Sequence, residues 1–89
     1  MKAIVTVVGQ DQVGIIAGVC NTLAAENINV LDISQTIMQG FFTMMMVVDL
    51  SQCTTSFEEL SRALQSFGEE RGLSIRIQRE DIFDAMHKI

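Results

Sequence analysis

The residues best suited to chemistry in this sequence lie between Gly9 and Gly14, where a valine-rich apolar run stops and an amphipathic pattern begins. The pattern predicts a strand, a tight loop and the N-terminus of a helix. At such a junction, free backbone N–H groups and the positive end of the helix dipole favour a carboxylate or another anion. A plain tight turn is the alternative interpretation. The candidate ligand-binding residues are Gly9, Gln10, Asp11, Gln12, Val13, Gly14 and Ile15.

Motifs for catalysis or nucleotide binding do not accompany this loop. Gly9 and Gly14 have the glycine spacing of a phosphate-binding loop, but Ile15 and Ile16 stand where that loop needs Lys and Ser or Thr. The single histidine, His87, has no Ser or Cys nucleophile in a local motif. The two cysteines are far apart and have no neighbouring histidine. We therefore predict a binding protein and not an enzyme, with no cofactor and no metal site.

The length, composition and net charge of the sequence limit the kinds of partner that the protein can bind. A chain of 89 residues makes one domain that buries roughly 60 % of its unfolded surface, so a second subunit would add useful stability. The net charge of −5 and the lack of Trp and Tyr argue against nucleic-acid binding. No apolar run approaches the ~20 residues that span a bilayer, and the N-terminus lacks a signal-peptide pattern. We expect a cytoplasmic protein without membrane contact.

The apolar periodicity predicts strand, helix, strand, strand, helix and strand, followed by a short tail helix. The predicted bounds are Lys2 to Val8, Val13 to about Glu26, Ile28 to Met38, a hairpin turn at Gln39 and Gly40, Phe41 to Asp49, a helix from about Phe57 whose end frays over Gly68 to Gly72, Leu73 to Arg79, and about Asp81 to Lys88. Asp11 or Gln12 is expected to cap the first helix. Thr55 or Ser56 is expected to cap the second, because each has a Glu three residues later.

The distribution of apolar residues predicts which elements are buried. The first and third strands are apolar on both faces and belong in the middle of a sheet, whereas the second alternates as a half-buried edge strand would. Gly14 and Gly18 leave part of the surface of the first helix without large side chains. Two explanations are open: close packing on the sheet, or a contact with a second subunit. The apolar stripe of that helix is Ile16, Val19, Cys20 and Leu23.

This order of elements predicts an α+β, ferredoxin-like βαββαβ fold: a four-stranded antiparallel sheet with two helices on one face, plus a short C-terminal helix. The domain is expected at residues 2–79, with 80–89 as a helical extension. An unpaired edge on the second strand and the apolar third strand predict a homodimer joined through the second strands. The tail helix is expected to cover the sheet face of its own subunit or of the partner. That face carries Ile4, Phe41, Met45 and Val47.

The chain resembles an ACT domain in three features. These are the order of elements, the pattern V-x-G-x-D-x-x-G-I-x-A-x-V at Val7 to Val19, and the sequence Asn27-Ile28-Asn29-Val30 at the start of the second strand. More narrowly, the chain is similar to the small single-domain ACT proteins of bacteria and archaea. The resemblance covers about residues 2 to 79. It implies a regulatory fold that binds small molecules, commonly amino acids, at the junction of two paired domains.

The resemblance also implies roles for three residues. Asp11 and Asn29 match positions where amino-acid-binding members place polar side chains on the ligand, and Gly14 matches the glycine that lets a ligand approach the loop. Serine-binding members have a neutral Asn at the position of Asp11, where an anionic side chain repels a carboxylate and attracts an ammonium group. Two hypotheses remain: a sensor of an amino acid or similar metabolite, and a ligand-free interaction module that docks on a partner enzyme.

Overall fold

The computed structural model describes residues 1–82 and contains four strands and two main helices. Their bounds are β1 Lys2–Gln10, α1 Ile15–Ala25, β2 Asn29–Met38, β3 Phe41–Asp49, α2 Phe57–Arg71 and β4 Ser74–Arg79. Residues 80–82 are helical and begin the predicted tail. The rest of that tail lies outside the described residues. Within residues 1–82, neither main helix is long and apolar enough to cross a membrane.

The four strands form one antiparallel sheet in the order β2-β3-β1-β4, so the doubly apolar strands β1 and β3 are central as predicted. β1 and β3 pair along their whole length, from Lys2 opposite Asp49 to Gln10 opposite Phe41. The turn between β2 and β3 has φ values of 52° at Gln39 and 83° at Gly40, the left-handed conformations of a tight hairpin. The predicted ferredoxin-like fold is confirmed.

The hydrophobic core lies between the sheet and the two helices. Alternate residues of the central strands point to this side, and α1 and α2 cover them with their own buried side chains. Ser56 caps α2 by accepting a hydrogen bond from the Glu59 N–H at 3.1 Å, one of the two predicted capping arrangements. The fully buried larger side chains are Leu23, Met44, Met46, Leu60, Leu64, Val5, Val7, Val19 and Val48.

The start of α1 differs from the prediction. The helix begins at Ile15, two residues later than expected, and its N-cap is Gly14 in the left-handed conformation with φ 89°. Neither Asp11 nor Gln12 caps it, since no side chain among the described residues accepts a hydrogen bond at this N-terminus. The buried stripe also differs from the prediction: Ile15, Val19 and Leu23 are buried, whereas Ile16 is exposed.

Within the single chain, β2 is not half-buried as predicted. All residues from Leu31 to Met38 are exposed, because this edge strand extends beyond the layer formed by the helices. The alternation itself is confirmed from Asp32 onwards: Ile33 and Ile37 lie opposite helix-side residues of β3, and their neighbours face the other way. A β-bulge between Val30 and Asp32 leaves Leu31 out of the ladder.

Three glycines lie where neighbouring elements pack closely, in roles that differ from those predicted. Gly9 does not end β1, and a Cβ there would lie 2.5 Å from Leu73 Cδ2. A Cβ on Gly18 would lie 2.2 Å from Cζ of Phe67, so the close neighbour of α1 at this point is α2, not the sheet or a second subunit. Gly68 is buried inside α2, which stays helical to Arg71 instead of fraying. Close approach of neighbouring elements explains all three.

Candidate functional site

The loop between β1 and α1 is short because both neighbouring elements extend into it, leaving residues 11–14 outside regular structure. The Asp11 N–H donates to Gly40 O at 2.8 Å, which ties the loop to the hairpin between β2 and β3. The first backbone hydrogen bond of α1 runs from the Gly18 N–H to Gly14 O at 2.9 Å. The N–H groups of Ile15, Ile16 and Ala17 therefore precede the first intrahelical donor and point towards the loop.

A cleft of about 290 Å³ opens beside this helix start. Asp11, Gln12, Gly14 and Ile15 line it, four of the seven loop residues predicted as ligand contacts. β2 and β3 complete the cleft with Gln35, Ile37 and Phe42. Its lining combines apolar side chains with the polar side chains of Asp11, Gln12 and Gln35, a combination common to small-molecule sites.

The remaining predicted loop residues have other positions. Gly9 and Gln10 belong to strand β1, and Gly9 packs against Leu73. The Val13 side chain is 97 % exposed, the most exposed large apolar side chain among residues 1–82. An exposed valine on a loop that borders a cleft gives a ligand or a second protein an apolar surface to cover.

Asn29 does not meet the loop within one subunit. It begins β2, whereas the loop lies beside the opposite end of that strand, roughly 30 Å away for ten extended residues. Asn29 lines a separate cleft of about 300 Å³ together with Asp49, Ser51 and Gln52. The two parts of the predicted site are thus far apart in the single chain.

The cleft beside Asn29 carries the negative charge of the Asp49 carboxylate. Asn29 pairs with Asp49 across the β2–β3 ladder. The Ser51 hydroxyl, and after it the Ser51 N–H, donates to the Asp49 carboxylate and lowers the pKa of Asp49 below its usual value; the N-terminal amine and Lys2 act in the same direction. Because the carboxylate is favoured over the acid, this end of β2 offers a negative charge beside a carboxamide.

Arg71 is a residue at the loop that sequence reasoning missed. Its Nη1 donates to Val13 O at 3.5 Å, and its guanidinium lies over the Phe67 ring at 5.1 Å from the centroid. Gln12 Nε2 donates to Arg71 O at 3.0 Å, which joins the C-terminal end of α2 to the loop. In the sequence Arg71 is simply a cation in the last turn of a helix, so its distance from the loop could be known only after the two helices had packed together.

The described residues show no arrangement for metal binding. Among residues 1–82, no group of three or more His, Cys, Asp or Glu side chains is placed to hold a metal ion. Cys20 and Cys53 are free thiols, and Cys53 Sγ donates to Thr55 O at 3.4 Å. The chemistry available at the loop is hydrogen bonding and charge pairing.

The fold defines a ferredoxin-like α+β domain, and its loop joins an uncapped helix start to a small cleft. A family model for the ACT domain matches residues 2–78. This chain belongs to the ACT domain family, whose members are regulatory, ligand-binding modules.

Two relatives match along at least 98 % of this chain, and a third matches only part of a larger protein. A UPF0237 protein of Listeria innocua is 57 % identical over 89 residues, covering 100 % of both chains. The solved structure of an ACT domain protein from Streptococcus pneumoniae is 45 % identical with a TM-score of 0.81, covering 98 % of each chain. The regulatory subunit of aspartate kinase from Thermus thermophilus is 27 % identical with a TM-score of 0.66, over 86 % of this chain and 50 % of that one.

Proposed function

We propose that this chain is a non-catalytic cytoplasmic regulator that binds a small metabolite, an amino acid, at the interface of a homodimer. The observation that carries the proposal is the cleft at the uncapped N-terminus of α1, which is lined by Asp11 and Gly14. Membership of a regulatory, ligand-binding family supports it. Similarity to the regulatory subunit of aspartate kinase supports it further.

The dimer interface is proposed at β2 and the adjoining side of α1, which we call the lateral surface: Ile16, Leu31, Ile33 and Ile37. These exposed side chains lie beside an edge strand whose outer backbone groups have no strand partner among residues 1–82. A domain of this size gains from covering such a surface with a second copy. A two-fold axis at β2 covers it with the same surface of the partner.

Antiparallel pairing of two β2 strands brings the separated parts of the site together. The Asn29 end of one strand then lies beside the Met38 end of the other, and the hydrogen bond from Asp11 to Gly40 holds the loop at that second end. Each interface would therefore contain two equivalent sites. Each site takes the loop from one subunit and Asn29 from its partner.

The groups of the combined site match the two charges of an amino acid. N–H groups at the start of α1 and the nearby Arg71 guanidinium attract the ligand carboxylate. Asp11, with Asp49 beside Asn29 on the other subunit, attracts the ammonium group. Both ends of an amino acid thus have a counter-charge.

Light scattering tests the dimer. At micromolar concentration we expect about twice the 9.9 kDa mass of one chain. Ile37→Asp should reduce the mass to that of the monomer, because it buries a carboxylate without a partner in the lateral surface. Ser66→Asp, on the exposed side of α2, adds the same charge elsewhere and should remain dimeric. A monomeric parent protein, or a dimeric Ile37→Asp variant, would contradict this interface.

A thermal-shift screen against the amino acids tests the ligand, because a ligand that binds only the folded state raises the melting temperature. Calorimetry with the amino acid that gives the largest shift should then show weaker binding to Asn29→Ala, by about 1 to 3 kcal/mol, through loss of a hydrogen bond to a charged group. Asn21→Ala removes an exposed carboxamide from α1 and serves as the matched control. Equal affinity of the folded Asn29→Ala variant and the parent would place the site elsewhere.

A ligand-free module that docks on a partner enzyme is the second candidate function. The observation that favours it is the exposure of apolar side chains outside the lateral surface, including Val13 and Phe41. If no amino acid changes the melting temperature at millimolar concentration, this second function replaces the first. The dimer prediction is independent of that result.

A further inference from the structure

The charges at the proposed ligand site do not balance those of a simple amino acid. Asp11 lines the cleft beside the start of α1, and Asp49 lines the cleft beside Asn29. In the proposed dimer these two clefts meet from different subunits. Each combined site then holds two carboxylates, the Arg71 guanidinium and the start of one helix. A ligand with a single ammonium group leaves one of the two carboxylates without a counter-charge.

The charged side chains of the site are not neutralised by neighbours in their own chain. Among residues 1–82, the one ion pair at salt-bridge distance joins Arg79 and Asp81, which lie at the end of β4. Arg71 donates to a backbone carbonyl and lies over an aromatic ring, and neither contact cancels its charge. The charges of Asp11, Asp49 and Arg71 are therefore available to a ligand.

Asp49 has one carboxylate oxygen free to accept a cation. The hydroxyl and the N–H of Ser51 both donate to Oδ1, and Oδ2 has no hydrogen-bond partner in the part of the chain that the structure describes. These two donors are uncharged, so they stabilise the carboxylate and lower the pKa of Asp49 without cancelling its charge. Lys2 lowers this pKa further, but from beyond salt-bridge distance.

The covalent structure of an amino acid gives the two carboxylates of the site different roles. The α-carboxylate and the α-ammonium group are bonded to the same carbon atom. Both would therefore contact the loop that carries Asp11 and leads into α1. Asp49 would reach the site from the other subunit, beside Asn29, and would face the side chain of the ligand.

The apolar part of the loop cleft suits the stem of a long cationic side chain. Ile15 and Phe42 are buried and Ile37 is exposed, and all three line the cleft. Lysine-like side chains cover apolar surface with their methylene groups while the charged end reaches a polar partner.

We propose that the ligand is an amino acid with a second positive charge in its side chain, and that this cation pairs with Asp49 of the partner subunit. The inference rests on the proposed function, because it uses the same dimer and the same combined site. A neutral amino acid would leave Asp49 enclosed by the interface without a counter-charge. An acidic amino acid would place a second carboxylate against it, so the site discriminates by repulsion as well as by attraction.

Calorimetry with L-lysine, L-norleucine and L-glutamate tests the class of ligand. Lysine and norleucine have the same straight carbon chain, and only lysine carries an ammonium group at its end. At equal ionic strength, we expect the parent protein to bind lysine about tenfold more tightly than norleucine, the effect of one hydrogen bond to a charged group. Glutamate should bind more weakly than norleucine.

Asp49→Asn identifies the residue that selects the second charge. The amide oxygen can still accept both Ser51 hydrogen bonds, so the substitution removes the charge and keeps the local structure. We expect the affinity for lysine to fall close to that for norleucine, which should itself change little. A general loss of structure would weaken both amino acids alike, so the ratio of their affinities reports the charge.

Glu69→Gln is the matched control. It removes a carboxylate from an exposed position of α2 beside β4, at the opposite edge of the sheet from β2. The preference for lysine should be unchanged in this variant. Circular dichroism and light scattering establish that each variant is folded and dimeric.

The possible failures separate this inference from the proposed function. Norleucine or glutamate binding at least as tightly as lysine would overturn the inference and leave the proposed function in place. A lysine preference that persists in folded, dimeric Asp49→Asn would overturn the pairing with Asp49. If no amino acid binds at all, the proposed function fails and this inference fails with it.

Discussion

Replacing Gly68 with alanine is expected to lower the free energy of unfolding by about 2 kcal/mol, although alanine is the better helix former. The new Cβ would lie 2.7 Å from Leu73 O and 3.1 Å from Ile75 Cγ1. The Leu73 backbone cannot yield easily, because its own N–H donates to Gly68 O at 2.8 Å. We expect this overpacking, near the upper end of ~1–3 kcal/mol, to exceed the ~1 kcal/mol gained in helix propensity.

Thermal or urea unfolding measures the effect of Gly68→Ala. For a domain of this size, each kcal/mol corresponds to a fall in melting temperature of about 4 to 8 °C. Ser66→Ala is the matched control, because it introduces the same side chain at an exposed position of α2 and should leave stability unchanged or slightly raised. A Gly68→Ala protein as stable as the parent would contradict the close approach of α2 to β4.

Replacing Gly14 with valine is expected to abolish detectable binding of the amino acid found by the thermal-shift screen. Gly14 lines the cleft, and a Cβ added here would lie 3.5 Å from Nη1 of Arg71, whose guanidinium is proposed to attract the ligand carboxylate. The φ of 89° is also a conformation that a β-branched residue resists, at a cost of about 1 to 3 kcal/mol.

Calorimetry on the folded variant separates the two effects of Gly14→Val. Gly72→Val provides the control, because Gly72 also has a positive φ, 69°, but has no heavy atom within 4 Å of an added Cβ. We expect both variants to be destabilised and only Gly14→Val to lose the ligand. Unchanged affinity in folded Gly14→Val would show that the ligand does not occupy the loop cleft.

The sheet was predictable from the sequence because strand position follows from side-chain polarity. β1 and β3 are apolar on both faces, and the order β2-β3-β1-β4 places both in the centre of the sheet as their composition predicts. Only the helix side of these strands is fully buried, since Val8, Phe41 and Met45 on the other side are exposed. The hairpin at Gln39 and Gly40 and the helix cap at Ser56 were also predictable, because a turn and a helix start depend on a few adjacent residues.

The loop was recognised as a candidate site for the same reason, since strand, glycine and helix patterns meet there in one short segment. The residues that surround the loop in the folded chain come from distant parts of the sequence and could not be predicted in this way. Asp11 and Gly14 line a cleft whose other wall is Gln35 and Ile37 of β2, and Arg71 reaches the loop from the far end of α2. Asn29 lies at the opposite end of β2, so its meeting with the loop remains a prediction about the dimer.

The sequence by itself therefore determined the order of elements, the central strands and the segment in which to look for a site, because these depend on residue patterns a few positions apart. The tertiary structure alone decided that Gly18 faces Phe67, that Gly68 faces Leu73 and that β2 lies beyond the helices. These features depend on how closely elements distant in sequence approach one another. A glycine in a helix or strand indicates that another element packs closely against it. It does not identify that element, which depends on the packing of the whole chain.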